Sequence, residues 1–356
     1  MSFIWPLVIR GLTLLGVLIA VLFLLGISLG ATGFSDKLLR AQVGEEVRSL
    51  RVTLAQTVRD PEELESILEV QKADIERFYG LDQPWYFRLP KSIGRVLVLD
   101  LGEARTLRSA SGSSKVSDII LERLPNTALL LTTSGLITAL FGILVGTKLA
   151  TRIGSRLDRG FALFSAISFA VPAWWFGIMM ILLFAFQFDL LPPGGMYSTP
   201  PPEGALFRAF DLMKHALLPV ITLVLVTIGP YLYTVRTLTM TVAVEDHVFV
   251  ARAKGLAEGK VIRTHILRVA APPIMTGLIL GLTSSLGGSI LVETVFNWQG
   301  MGRLYFDSVA GTPDESIIVG LTFMFTVLYI SARFALEILY LILDPRVRYG
   351  SCLLLD

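Results

Sequence analysis

Six apolar stretches, each long enough to cross a bilayer as a helix, limit what this 356-residue chain can fold into. The hydrocarbon core of a membrane takes about 20 apolar residues of helix to span. The stretches run roughly over residues 3–29, 127–149, 161–187, 215–235, 272–293 and 316–343. Composition agrees: 53% of the residues are hydrophobic and 17% are charged, against about 25% charged in a soluble domain. The expected fold is an all-α polytopic membrane protein of six transmembrane helices, with a large extracytoplasmic connector after the first.

The first stretch divides two readings. Its apolar core, Gly11 to Leu29, exceeds the ~7–15 residues of a signal-peptide core, which favours an uncleaved anchor helix over residues 1–29. The small residues Gly30 and Ala31 leave cleavage as the alternative. Residues 30–123 form the connector, either a passive spacer or a small folded cap. Asp60-Pro-Glu-Glu reads as a helix start, with Asp60 as N-cap and Pro61 in the first turn. The helical pattern continues to Tyr79 and Gly80 ends it, while Ser109-Ala-Ser-Gly-Ser-Ser reads as a flexible linker. Residues 124–343 make a five-helix core and 344–356 a cytoplasmic tail.

Basic residues set the orientation, because short cytoplasmic loops are enriched in Lys and Arg. Lys148, Arg152, Arg156 and Arg159 follow the second stretch, and Arg236, Arg252, Lys254, Lys260, Arg263 and Arg268 follow the fourth. Opposite connectors carry only Arg208 and Lys214, or Arg303. Both termini are therefore expected in the cytoplasm of a multi-pass cell-membrane protein. The net charge of +2 gives no nucleic-acid footprint. The single Cys352 excludes an intramolecular disulfide and any multi-cysteine metal site.

Ion-coupled transporters place ionisable groups inside the membrane. The central parts of stretches two to five have almost none, and His215 and Glu293 sit at ends, where an interfacial position is expected. Arg333 and Glu337 are the exception, four apart on one face of the last helix, and are read as a structural intramembrane pair. Pro172 with Trp174 and Trp175, and Pro219 and Pro230, are pathway candidates, since proline frees backbone carbonyls that a water-filled route can satisfy. No phosphate-binding Gly-rich loop and no hydrolytic triad occurs, so the chain has no energy source of its own.

The polar island Glu245–Pro273 between the fourth and fifth stretches, with the segment Glu245–Arg268 at its heart, reads as two short helices hinged at Gly255. Glu245 and Asp246 suit a helix N-terminus. Ala251 and Ala253 are small enough for a partner to approach, and Gly255 can take the left-handed conformation that ends a helix. Val261, Ile262, Ile266 and Val269 then form one apolar face, opposite Lys260, Arg263, Thr264 and Arg268, until Pro272-Pro273 breaks the helix. A basic face lying on anionic lipid is the plainer alternative.

Ala251-Arg-Ala-Lys-Gly-Leu followed by His265-Ile-Leu-Arg-Val-Ala resembles the coupling segment of ATP-binding-cassette importer permeases. The match is to the first permease subunit of the dipeptide/oligopeptide family. Further similar motifs are Gly80-Leu-Asp-Gln-Pro, Leu121-Glu-Arg-Leu-Pro-Asn-Thr and Leu191-Pro-Pro-Gly-Gly-Met-Tyr-Ser. Lys214-His-Ala-Leu-Leu-Pro, Val292-Glu-Thr-Val-Phe-Asn-Trp-Gln-Gly-Met-Gly-Arg-Leu and Leu343-Asp-Pro-Arg-Val-Arg-Tyr-Gly continue the series. The chain departs from the pattern at Gln299-Gly300, where Pro-Gly is usual, and at Thr312-Pro-Asp-Glu-Ser.

The resemblance implies a type I importer permease that is not itself an enzyme. It would pair with a second permease, two cytoplasmic ATPase subunits holding ATP and Mg, and an extracytoplasmic solute-binding protein. Glu245, Asp246, Ala251, Arg252, Ala253, Lys254, Gly255, Leu256, His265 and Arg268 would contact an ATPase. Peptides are the expected cargo, with oligosaccharides or nickel complexes as alternatives on the same architecture. An ion-coupled secondary transporter and a non-transporting membrane scaffold are the alternatives of other classes.

Overall fold

The computed structural model describes residues 4–104, 107–310 and 313–343. The motif beginning at Leu343 and the Cys352 thiol therefore lie, apart from Leu343 itself, outside the described residues. Helices account for the architecture: α1 Ile4–Ala31, α2 Phe34–Leu54, α3 Pro61–Phe78, α4 Trp85–Leu97, α5 Val116–Ala150, α6 Arg156–Ala170 and α7 Ala173–Ile181. They continue with α8 Ala205–Ala243, α9 Asp246–Ala253, α10 Glu258–Lys260, α11 Arg268–Val295, α12 Met301–Ala310 and α13 Glu315–Leu343. Two π-helical turns, Leu182–Gln187 and Val261–Leu267, extend α7 and join α10 to α11.

Among the described residues five helices are long and apolar enough to cross a membrane, or six if the α6–α7 pair is one span. That pair is the third expected stretch, 161–187, with Pro172 at its break. The chain turns through 98° between Ala170 and Ala173. Pro172 has no N–H to donate and pushes Val171 out of the helical region, so Val171 and Pro172 are both extended.

Contacts divide the chain into two compact units. One comprises Leu12–Leu121 and Asp307–Val327. In it Asp60 caps α3 by accepting a 3.0 Å hydrogen bond from the Glu62 N–H, Pro61 occupies the first turn, and Gly80 follows at φ 67°. Tyr79 donates from its hydroxyl to Glu46 and accepts from Gln42, joining α3 to α2. The serine-rich stretch expected to be a flexible linker is a bonded turn. Ser109 N–H donates to the Ser113 carbonyl at 3.0 Å, Ser113 N–H donates to Ser109 Oγ at 3.0 Å, and Glu103 pairs with Lys115 in an isolated antiparallel bridge.

The other unit comprises Met1–Gly11, Glu122–Phe306 and Leu328–Asp356. In lipid, helices gain little hydrophobic drive from associating, so small residues and interhelical hydrogen bonds decide their packing. Here α6 and α8 are the example. A Cβ on Gly229 would lie 2.6 Å from Ser168 Cβ and 2.9 Å from Ser165 Cα, so only glycine allows this approach. Pro230 deprives the Val226 carbonyl of its usual donor. Ser168 Oγ supplies one, lying 2.9 Å from the Val226 oxygen and 2.6 Å from that of Leu225, while Ser165 donates to the Gly229 carbonyl at 2.8 Å. A core of Leu130, Met180, Leu218, Leu223, Val292 and Phe296 fills the space among α5, α7, α8 and α11.

Two residues expected at the interface are buried and bonded. His215 Nδ1 lies 2.9 Å from the Asp211 carbonyl, and the Asp211 carboxylate accepts from Ser198 N–H at 2.7 Å and Ser198 Oγ at 2.8 Å. Glu293 is fully buried. It accepts from Thr127 Oγ1 at 2.8 Å and from the Arg303 N–H at 3.0 Å, in the first turn of α12. Helical pattern places them near span ends, and only the fold shows that the chain covers those ends with its own loops.

Candidate coupling site

The segment Glu245–Arg268 starts directly where α8 ends and runs into α11, so it is the covalent link between two spans. Glu245 stands at the N-cap of α9 with extended backbone, and Asp246 opens its first turn, where negative charge suits the helix dipole. The helix closes at Lys254. Gly255 takes φ 74°, its N–H donating to Arg252 O at 2.9 Å, while Leu256 N–H reaches back to Ala251 O. That is the left-handed stop expected of a glycine here.

Three ties hold the two arms together. Arg252 reaches across the Gly255 turn to Glu258, with Nη2 2.7 Å from Oε1 and Nε 3.2 Å from Oε2. The neighbouring carboxylate raises the arginine above its already high value, chiefly through this hydrogen bond. His247 Nε2 lies 2.9 Å from the His265 carbonyl oxygen, and its Nδ1 is 3.2 Å from Glu245 Oε2. The third tie is apolar. Val248, Ala251, Val261 and Ile266 are buried against Tyr231, Val235 and Val242 of α8 and Ala270 and Ile274 of α11. Lys254, Gly255, Lys260, Arg263 and Arg268 remain exposed, and Leu256 and His265 half-buried.

Three expectations need correction. Ala251 is 3% exposed, so its small side chain lets α9 approach its own chain and not a partner. Ala253 does face outward. Pro272 and Pro273 do not break a helix, because α11 runs through them from Arg268 to Val295. The irregularity lies upstream, in the π turn Val261–Leu267, whose i→i+5 bonding relaxes the backbone just before the carbonyls that the proline rings would press on. Thr276 Oγ1 donates to the Pro272 carbonyl at 2.7 Å. The same turn explains Val269. Roughly one extra residue per turn rotates it off the apolar face, and it is 44% exposed.

The outward surface of α9 carries side chains that helical pattern alone did not single out. Phe249 is 73% exposed, its neighbour Val250 is also uncovered, and so is Val244, just before the helix. His247 and Glu258 were missed as well. Each acts across a turn, over 18 and 6 residues, at separations that no helical period brings together.

The remaining candidates are dispersed. Trp174 and Trp175 are about two-fifths exposed at the start of α7. Pro219 is buried in α8, and Pro230 sits where Ser168 satisfies its freed carbonyl. Arg333 and Glu337 share a face of α13, but Glu337 pairs with Arg10 of α1, Nη1 to Oε1 3.4 Å. On the first connector of the core, Asp158 is buried and clasped by Arg236, Nη2 to Oδ2 2.8 Å. One of the basic residues counted for orientation is thus neutralised by a neighbour. Among the described residues no group of three His, Cys, Asp or Glu side chains could hold a metal ion.

The family model described as "binding-protein-dependent transport system inner membrane component" matches residues 138–349. The oligopeptide transport system permease protein AppB of Bacillus subtilis (strain 168) is 33% identical over 293 residues, covering 82% of this chain and 90% of that protein. The di/tripeptide transport system permease protein DppB of Pseudomonas aeruginosa (strain UCBPP-PA14) is 29% identical, covering 76% and 83%. A solved structure of the MetNI methionine ABC transporter in inward-facing conformations aligns with a TM-score of 0.49 at 17% identity. It covers 64% of this chain and 96% of that one.

Proposed function

The chain belongs to the family of binding-protein-dependent transport system inner membrane components, and from that premise we propose that it is one permease subunit of an ATP-driven peptide importer. The relatives named for oligopeptide and for di- and tripeptide transport support the cargo class. A second permease completes the pathway, two cytoplasmic ATPase subunits hold ATP and Mg, and an extracytoplasmic binding protein delivers the peptide. The permease itself hydrolyses nothing. Both termini and the Glu245–Arg268 segment face the cytoplasm, in line with the basic residues of the short connectors.

The observation that carries this reading is the cross-tied pair of arms at Gly255. A partner gripping the uncovered face of Val244, Phe249, Val250 and Ala253 moves α9. The Arg252–Glu258 and His247–His265 ties make the second arm follow. Because one arm leaves α8 and the other enters α11, both spans shift together. Closure of the ATPase pair thus biases a two-state packing of helices, which is how alternating access is driven.

Reconstitution tests it. The chain is inserted in vesicles with its candidate permease, ATPase and binding-protein partners, and uptake of labelled di- to oligopeptides is followed with ATP or with an imposed proton gradient. Uptake that needs ATP and the binding protein is expected. Uptake driven by the gradient without the ATPases would overturn the reading.

A further inference from the structure

Arg88 contains the feature that the transport reading leaves unused. Its Nη2 donates to Asp36, but its Nη1 is buried with no hydrogen-bond partner among the described residues. A guanidinium has five donors, and a buried one left without an acceptor costs free energy. This side chain lines a cavity of about 450 Å³, within the size range of ligand sites.

The walls of the cavity differ in kind. Leu22, Leu25 and Leu29 come from α1, a helix otherwise barely covered by protein: 11% of its apolar window is buried. Leu89 comes from α4 and packs against Gly26, while Trp85 packs against Gly30, so α4 lies along the Ala31 end of α1. That end is where the apolar span stops and the bilayer interface begins. Trp85 and Tyr86 at the start of α4 are residues enriched at membrane interfaces, and Tyr86 and Phe87 are 53% and 63% exposed. The polar lining carries Arg88, Lys91 and Arg95 against Asp100, Glu103 and Glu315.

We propose that this cavity binds one zwitterionic glycerophospholipid of the surrounding membrane, its phosphate on Arg88 and one acyl chain along Leu22, Leu25 and Leu29. The leucines give the chain an apolar wall that opens to the bilayer. Arg88 offers a phosphate the charged Nη1 donor that Asp36 leaves unused, and Lys91 adds a second positive charge. The acids on the same lining match the head amine. A head with net negative charge would lack that complement. The lipid thereby joins α4 to α1 and braces the helices outside the permease core. This site is independent of the cargo and of the orientation in the membrane.

Native mass spectrometry of the full chain, purified with its partner subunits in mild detergent, tests the proposal. One amine-bearing phospholipid per chain is expected to survive washing that strips bulk lipid. Arg88→Gln should lower its occupancy about tenfold, the scale of one charge-assisted hydrogen bond, and Arg88→Lys should lower it less. Because Arg88→Gln leaves Asp36 unpaired, the double variant Asp36→Asn/Arg88→Gln serves as the folding control. It should melt like the parent after delipidation yet gain nothing when the lipid is added back. Equal lipid retention in parent and Arg88→Gln would overturn the site. So would recovery of only amine-free lipids, or a melting shift given equally by inorganic phosphate without lipid.

Discussion

Arg252 and Glu258 face each other across the Gly255 turn through two hydrogen bonds, 2.7 and 3.2 Å long, that close the ring between the arms of the coupling segment. Both side chains are about half exposed, so the pair adds little to stability, roughly 0–1 kcal/mol. Its value is geometric. Glu258→Gln or Arg252→Ala should leave the melting temperature within a few degrees of the parent while peptide uptake per ATP hydrolysed falls several-fold. A double-mutant cycle on that ratio should show strong coupling between the two positions. A large loss of melting temperature with unchanged coupling would remove the pair from the mechanism.

Gly255 separates conformation from bulk. A Cβ there would meet nothing within 4 Å, so space is not limiting, yet φ is 74°. A β-branched residue should cost about 1–2 kcal/mol in that conformation, and Asn much less. Gly255→Val should therefore uncouple transport, and Gly255→Asn should keep most of it. Equal uptake from both variants, measured in vesicles, would refute the hinge.

Phe249 and Ala253 test the gripped surface. Phe249→Asp and Ala253→Arg change exposed positions, so both proteins should fold and insert normally. Co-purification of the ATPase subunits should be lost or fall at least tenfold, about 1.4 kcal/mol of interface free energy. Undiminished co-purification would place the docking surface elsewhere.

The packing of α6 on α8 predicts stability effects away from any partner. Gly229→Ala should cost about 1–3 kcal/mol by overpacking against Ser165 and Ser168. Ser168→Ala removes the donor that serves the carbonyl freed by Pro230 and should cost about 1 kcal/mol. Thermal melts in detergent check both, and an unchanged Gly229→Ala melt would contradict the close approach.

Thr127→Val probes the buried Glu293. The substitution removes a donor to Glu293 and the acceptor for the Met301 N–H, 2.8 Å away. A loss of about 1–3 kcal/mol is expected for buried groups left unpaired. Thr127→Ser keeps both bonds and should retain most of the stability.

Local signals were legible in the sequence where one residue type has one physical job. Asp60, Pro61 and Gly80 bound α3 as cap, first turn and stop, and Gly255 ends α9, because each answer depends only on neighbours in the chain. The misses share the opposite property. Pro172 bends its span through 98°, while Pro230 stays inside one helix, where Ser168, 62 positions earlier on another helix, bonds the Val226 carbonyl that it frees. Pro272-Pro273 gave the same false stop, since the strain is relaxed by a π turn that no periodicity announces. Glu337 chose Arg10 over Arg333 because a partner on another helix competed with the one four residues away. His215 and Glu293 were misplaced for a related reason: a charge near the end of a span says nothing about whether a loop will fold over it.

The continuity of α8 has a mechanical consequence. Its 39 residues make a rod of roughly 58 Å at 1.5 Å per residue, much longer than the hydrocarbon it crosses. One tip carries Asp211 and His215, and the other ends at Ala243, against the coupling arms. A proline in mid-rod normally acts as a flexible joint that would swallow a small stroke. Ser168 fills that joint at Pro230, and the second proline, Pro219, is packed in the protein interior, so a tug delivered at one end of the rod reaches the loop anchored by Asp211 at the other with little slack.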